Sequence, residues 1–163
     1  CAQILAKRGL SCTFCIDNNG VIYQLMDTQH VGWCNGGKHN GKSIGVEVSN
    51  AVYTKYQSWY VRNGFGERPI MKGKMIHGKI IKEPFLGFYP IQLEALAALM
   101  EAVSRALDIP LVLPKTKNGV DSKAASGDYW GFCAHYHLTS KKWDIAGVDL
   151  DDLLAQAKRK RYE

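Results

Sequence analysis

His135 is followed nine residues later by Asp144, with Lys142 two residues before the aspartate. A strand histidine and a carboxylate after a short loop can converge on one cation, and imidazole with carboxylate is an ordinary zinc combination. Lys142 would then project beside the metal, where its charge could stabilise an oxyanion. The same spacing also suits a hydrogen-bonded strand histidine beside a surface loop, and two ligands do not make a zinc site. Glu47 is the second candidate. In SIGVEVSN, Ile44, Val46 and Val48 alternate with Gly45, Glu47 and Ser49, a period of two that predicts a strand with Glu47 opposite the aliphatic stripe. There it either faces solvent or lines a cleft, and in a cleft it could act as general base toward a water activated by the metal. His30, His39 and His77 fall in loops or on an irregular strand and read as surface or structural histidines.

The cysteines offer a third pattern. Cys12-Thr13-Phe14-Cys15 has redox or metal spacing, but CTFCID runs into the turn Asn18-Asn19-Gly20 and then VIYQL, which predicts a hairpin over 12–25. Residues three apart on a strand point to opposite faces, so these sulfurs do not converge. Cys1, Cys12, Cys15, Cys34 and Cys133 are odd in number and irregular in spacing, which predicts reduced, mostly buried thiols rather than a disulfide framework.

The elements that must position these groups follow from periodicity. A short helix over 1–8 closes at Gly9, and residues 26–42, rich in Gly, Asn and His, read as a loop. The stretch 51–88 reads as an insertion, an extended excursion with a short strand or hairpin near MIHGKII. Pro90 opens the clearest helix, to about Leu107, with Leu93, Leu96, Met100, Val103 and Leu107 on one stripe. Residues 114–130 read as a polar loop, and GFCAHYHL as a strand that puts Cys133, His135 and His137 on one face. Asp149 caps a last helix with acids in its first turn and bases in its last. The predicted fold is α/β in the broad sense (α+β), a mixed central β-sheet flanked by helices, in a single domain over 1–163.

The chain has 163 residues, 46% of them hydrophobic, enough to bury roughly 68–70% of the surface an unfolded chain of this size exposes. Disorder and collagen-like repeats are excluded, and no apolar run reaches the ~18 residues of a membrane-spanning helix. The 21 Lys and Arg against 15 Asp and Glu, a net charge of +6, favour a polyanionic partner: nucleic acid, an anionic membrane or an anionic cell wall. A solvated basic face has the same composition. No helix-turn-helix, zinc-finger spacing or RNP-type strand supports nucleic acid.

In order along nearly the whole chain, these segments resemble the zinc-dependent N-acetylmuramoyl-L-alanine amidases of the type-2 family, which includes phage endolysin amidases and the peptidoglycan recognition proteins. RGLSCTFCIDNNGVIYQLMD is similar to the family's hairpin with its D-x-x-G turn, and VGWCNGGKHNGKSIGVEVSN to its W-H-x-G, N and S-I-G-I-E pattern. YPIQLEALAAL is similar to its long helix, and AHYHLTSKKWDIAG to its G-H-x-D, K-x-D-P-G stretch. The resemblance implies a Zn2+ cofactor with His135 and Asp144 as metal ligands. It implies Lys142 as the lysine that supports the tetrahedral charge and Glu47 as the residue that positions or deprotonates the attacking water. Trp33, Asn40 and His137 are then substrate-binding residues. The implied reaction is hydrolysis of the amide joining the lactyl group of N-acetylmuramic acid to L-alanine, with peptidoglycan of the bacterial cell wall as partner. The alternative is a catalytically inactive peptidoglycan-binding module of the same fold.

Three departures stand out. No residue matches the family's first zinc histidine, which belongs to a strand ahead of the helix with which this chain begins. Since Cys1 opens the chain in that helix without an initiator Met, the expectation is an N-terminally incomplete domain whose parent supplies the strand. Cys34 stands where the tryptophan is commonly followed by histidine, with Cys12 and Thr13 where tyrosine and histidine are frequent, and His137 replaces the usual aspartate.

Overall fold

The Asn-Gly turn and the two alternating segments give a small sheet. A computed structural model describes residues 2–162. After helix α1 (Ala2–Lys7), β1 (Phe14–Ile16) pairs antiparallel with β2 (Ile22–Gln24) and parallel with β3 (Val46–Val48), giving the order β2-β1-β3. The sheet is mixed, as predicted. Asp17 and Val21 close the hairpin, the Asp17 N–H donating to the Val21 carbonyl at 2.9 Å. Central β1 is buried at every position, whereas β2 is exposed along its length. Between β2 and β3 the chain forms no strand, only a 3-10 turn at Asn40–Lys42.

The 51–88 segment contains helix α2 (Gln57–Arg62), a two-residue pairing of β4 (Ile70–Met71) with β7 (Phe85–Leu86), and the hairpin β5 (Met75–Ile76) to β6 (Lys79–Ile80) at the predicted MIHGKII site. Helix α3 (Pro90–Leu107) begins at the predicted proline. The Gln92 side chain accepts from the Tyr89 N–H at 3.2 Å, filling one donor at the helix entrance. Its stripe packs on the sheet and on α6 (Leu150–Lys160), and Phe14, Ile16, Leu96, Leu99, Met100, Val103, Leu153 and Ala157 form the main core. Asp149 caps α6, accepting from the Asp152 N–H at 3.0 Å.

Two expectations are corrected. The 114–130 stretch contains helix α4 (Ser122–Ser126), capped by Asp121, whose carboxylate accepts from the Lys123 and Ala124 N–H groups at 3.1 and 3.2 Å. GFCAHYHL is not a strand: its last four residues form one helical turn, α5 (His135–Leu138). Its alternation imitates a sheet period, but a backbone donor needs a partner and not necessarily a sheet. Ala134 N–H donates to Nδ1 of His137 at 3.0 Å, while His137 N–H donates back to the Ala134 carbonyl at 3.0 Å. This reciprocal local pair satisfies the segment without a neighbouring strand.

The two sulfurs of Cys12-Thr13-Phe14-Cys15 take separate partners. Cys12 Sγ donates to the Phe14 carbonyl at 3.1 Å, and Cys15 Sγ lies 4.0 Å from Ser49 Oγ. Cys12, Cys15, Cys34 and Cys133 are all free thiols; Cys1 lies outside the described residues. The first two are buried, Cys34 is half-buried and Cys133 is exposed, so burial is less general than predicted.

Candidate functional site

The turn at α5 decides which histidine meets Asp144. Residues two apart on a helix lie on different sides, so the predicted common face for His135 and His137 is lost. His137 points inward, buried against Tyr136 with ring centroids 4.4 Å apart, and burial holds its imidazole below the ordinary pKa. His135 points the other way. Its Nδ1 lies 2.6 Å from Asp144 Oδ2, and its Nε2 lies 3.1 Å from the Cys34 carbonyl. A carbonyl only accepts, so Nε2 carries hydrogen and Nδ1 is the nitrogen turned to the carboxylate.

The charges around this pair are coupled. The hydrogen bond to Asp144 raises the His135 pKa against the opposing effect of burial. Burial pushes Asp144 up, but the hydrogen bond and charge of His135, with Lys142 adding to them, hold it below the usual carboxylate range. Glu47, paired across the sheet with Cys15, is half-buried on edge strand β3. Burial and then the Asp144 carboxylate raise its pKa, while His135, Lys142 and Arg8 pull it down. Glu47, His135, Lys142 and Asp144 therefore share one electrostatic site, assembled from β3, α5 and the loop after it. An acid made easier to protonate beside a lysine and a histidine–aspartate pair can exchange a proton with a water and stabilise a developing negative charge.

Loop 33–43 meets the site through the Cys34 carbonyl. Asn40 is buried and its Oδ1 accepts from the Asn35 N–H at 2.9 Å; Asn35 Nδ2 donates to Ser43 Oγ at 2.9 Å, and Ser43 Oγ donates to the His39 carbonyl at 2.7 Å. Asn40 thus holds the loop through its side-chain oxygen. Trp33 is 60% exposed, and its N–H donates to the Ser11 carbonyl at 2.7 Å. Gly45 lets Cys34 in: a Cβ on Gly45 would overlap Cys34 Sγ. The Cys34 side chain therefore occupies the space that a side chain at position 45 would fill.

Sequence reasoning missed the Cys34 carbonyl, for which residue type gives no signal. Of the surface or structural histidine predicted at position 39, the structure shows the structural kind. That side chain is buried, its Nε2 has no hydrogen-bond partner, and burial, Lys38, His135 and Lys42 all lower its pKa. Among the described residues, no group of three or more His, Cys, Asp and Glu is arranged to hold a metal ion.

The fold is α+β, and it brings a histidine–aspartate pair, a lysine and a half-buried glutamate within each other's electrostatic reach. The family model for N-acetylmuramoyl-L-alanine amidase matches residues 1–144, a span that includes all four residues and ends on Asp144, and the chain belongs to that family. No curated protein and no solved structure matches it. The family's substrate is peptidoglycan, and no helix among the described residues is long and apolar enough to cross a membrane.

Proposed function

We propose that the protein is a zinc-dependent hydrolase of the amide between N-acetylmuramic acid and L-alanine. The observation that carries this reading is the 2.6 Å approach of His135 Nδ1 to Asp144 Oδ2 inside the electrostatic site shared with Glu47 and Lys142. The donor chemistry suits zinc. A metal-binding histidine commonly donates its second ring N–H to a backbone carbonyl, as His135 Nε2 does to Cys34, which leaves Nδ1 beside a carboxylate. A catalytic zinc takes a third protein donor; in this proposal it comes from outside the described residues.

When bound, zinc supplies Lewis-acid polarisation of the amide carbonyl and a more acidic water. Glu47 takes a proton from the attacking water at its carboxylate and passes it to the departing amine of L-alanine. A half-buried acid of raised pKa suits both steps. The Lys142 ammonium faces the oxygen that becomes negative as the carbonyl carbon turns tetrahedral. The exposed Trp33 offers an aromatic face at the rim for the sugar or the stem peptide.

The purified protein is expected to contain about one zinc per chain by elemental analysis. It should release new L-alanine amino termini from peptidoglycan, lose that activity to a chelator and regain it with zinc. Glu47→Gln should lower the rate about 10²–10⁴-fold without unfolding the protein. A non-catalytic peptidoglycan-binding module is the second reading, favoured by the lack of a third grouped donor among the described residues. Peptidoglycan binding without release of amino termini, in protein incubated with zinc, would establish it instead.

A further inference from the structure

The loop that presents Lys142 and Asp144 is closed after Asp144 by the Ala146 N–H, which donates to the Trp143 carbonyl at 2.7 Å, but its stretch before Lys142 is held only by long bonds. Lys142 N–H donates to the Thr139 carbonyl at a long 3.4 Å, and Lys141 N–H to Thr139 Oγ1 at 3.3 Å. Besides the His135–Asp144 pair, a short outside contact comes from the 51–88 segment. His77 Nε2 lies 2.7 Å from the Lys142 carbonyl, across 65 residues of chain. The acceptor is a carbonyl, so the ring donates from Nε2–H, and it does so both neutral and protonated.

The backbone holds that ring in place. His77 and Gly78 form the two-residue turn between β5 and β6 with φ of 54° and 69°, the left-handed pair of a tight hairpin. Glycine or asparagine occupies such a first position at lower cost than a larger side chain. The His77 N–H donates to the Asn118 carbonyl at 2.7 Å, so the turn is tied to a second loop as well.

Apolar packing runs the same way. Val52, Met71, Ile76, Ile81 and Phe85 of the 51–88 segment form one cluster with Ala134, Tyr136, Trp143, Ile145, Ala146 and Leu150. The Phe85 and Trp143 rings meet edge to face at 5.2 Å, and Trp143 sits between Lys142 and Asp144 in the chain. Gly147, at φ 89°, has Phe85 and Met71 side-chain atoms 3.2–3.3 Å from where a Cβ would stand, so these side chains pack directly on its backbone.

We propose that the 51–88 segment is a brace for the loop carrying Lys142 and Asp144, with His77 as a positioning residue that sets the height of Lys142. The catalytic consequence rests on the amidase reading, because only there does Lys142 act on the transition state; the mechanical part does not. Misplacing a charged group by about an ångström costs up to about 10²-fold in rate.

The test uses His77→Gly and His77→Gln in the zinc-loaded protein. Glycine suits the left-handed turn, so the hairpin survives while the bond to Lys142 is lost; glutamine has the reach to restore a donor. His77→Gly should speed amide exchange at 140–146 and lower kcat roughly tenfold with KM changed by less than about twofold. His77→Gln should recover most of both. Unchanged exchange in His77→Gly overturns the brace, and faster exchange with unchanged kcat overturns the positioning role. A wild-type protein that hydrolyses no peptidoglycan overturns the amidase reading instead, and exchange then decides the brace by itself.

Discussion

Two apolar centres of the molecule are built by different means. The first joins β1, α3 and α6 through Phe14, Ile16, Leu96, Met100 and Leu153, all on regular elements with long apolar stripes. The second joins two-residue strands and a loop through Ile76, Phe85, Tyr136 and Trp143, with an aromatic edge contact and glycine-permitted approaches in place of stripes. The first holds the longest helices and the sheet together. The second underlies the loop that bears Lys142 and Asp144, so in the proposed mechanism it governs where two of the reactive groups stand. Burial of similar residue types thus serves stability in one place and alignment in the other.

That division can be broken by experiment. Phe85→Ala empties the middle of the second centre and is expected to cost about 3–5 kcal/mol, felt as local opening. Peptidoglycan hydrolysis should vanish at temperatures where far-UV dichroism is still native. Leu96→Ala, costing about 2–5 kcal/mol, should lose activity and dichroism together. If both variants show the same coincident loss, the two centres are one cooperative unit.

Arg68 sharpens the comparison because it ties the 51–88 segment to the sheet and α3. Its buried guanidinium donates to the Gly87 carbonyl at 2.9 Å, Gln92 Oε1 at 3.1 Å and the Ser49 carbonyl at 2.9 Å, and stacks 4.2 and 4.3 Å from the Tyr60 and Tyr89 ring centres. Arg68→Lys keeps the charge but not the planar fork, and should cost about 2–3 kcal/mol in denaturant unfolding.

The smallest effect is expected at Asp121, away from both centres. Backbone N–H groups, Ala124 first, hold its carboxyl below the ordinary pKa, so its contribution is present above that ordinary value and lost as pH falls through the depressed one. Asp121→Ala should cost about 1 kcal/mol near neutrality. The gap from wild type should close as unfolding is measured at successively lower pH.

What could be read from sequence follows the same division. Pro90, the stripe from Leu93 to Val103, the Asn-Gly turn and the Asp149 cap announce the first centre because their signals are local and repeat. The stripe ends before its predicted limit, since Leu107 is 38% exposed. Glu47, His135, Lys142 and Asp144 were legible as a set through spacing and resemblance. Helix α4 had a readable cap in Asp121 and a readable stop in Gly127, but five residues carry too little periodicity to outweigh their polarity. At α5, His137 supplied its own backbone partner and reversed a strand reading that alternation favoured. The His77 contact to Lys142 was not legible at all, because nothing near either residue encodes a partner 65 positions away.

The bond that is cut tests the account most directly. Mass spectrometry of muropeptides incubated with the zinc-loaded protein should show an intact N-acetylmuramic acid with a free lactyl carboxylate and a stem peptide beginning at L-alanine. The Glu47→Gln protein should leave the substrate whole. Cleavage at a glycosidic or peptide bond instead, or equal product from Glu47→Gln, would contradict it.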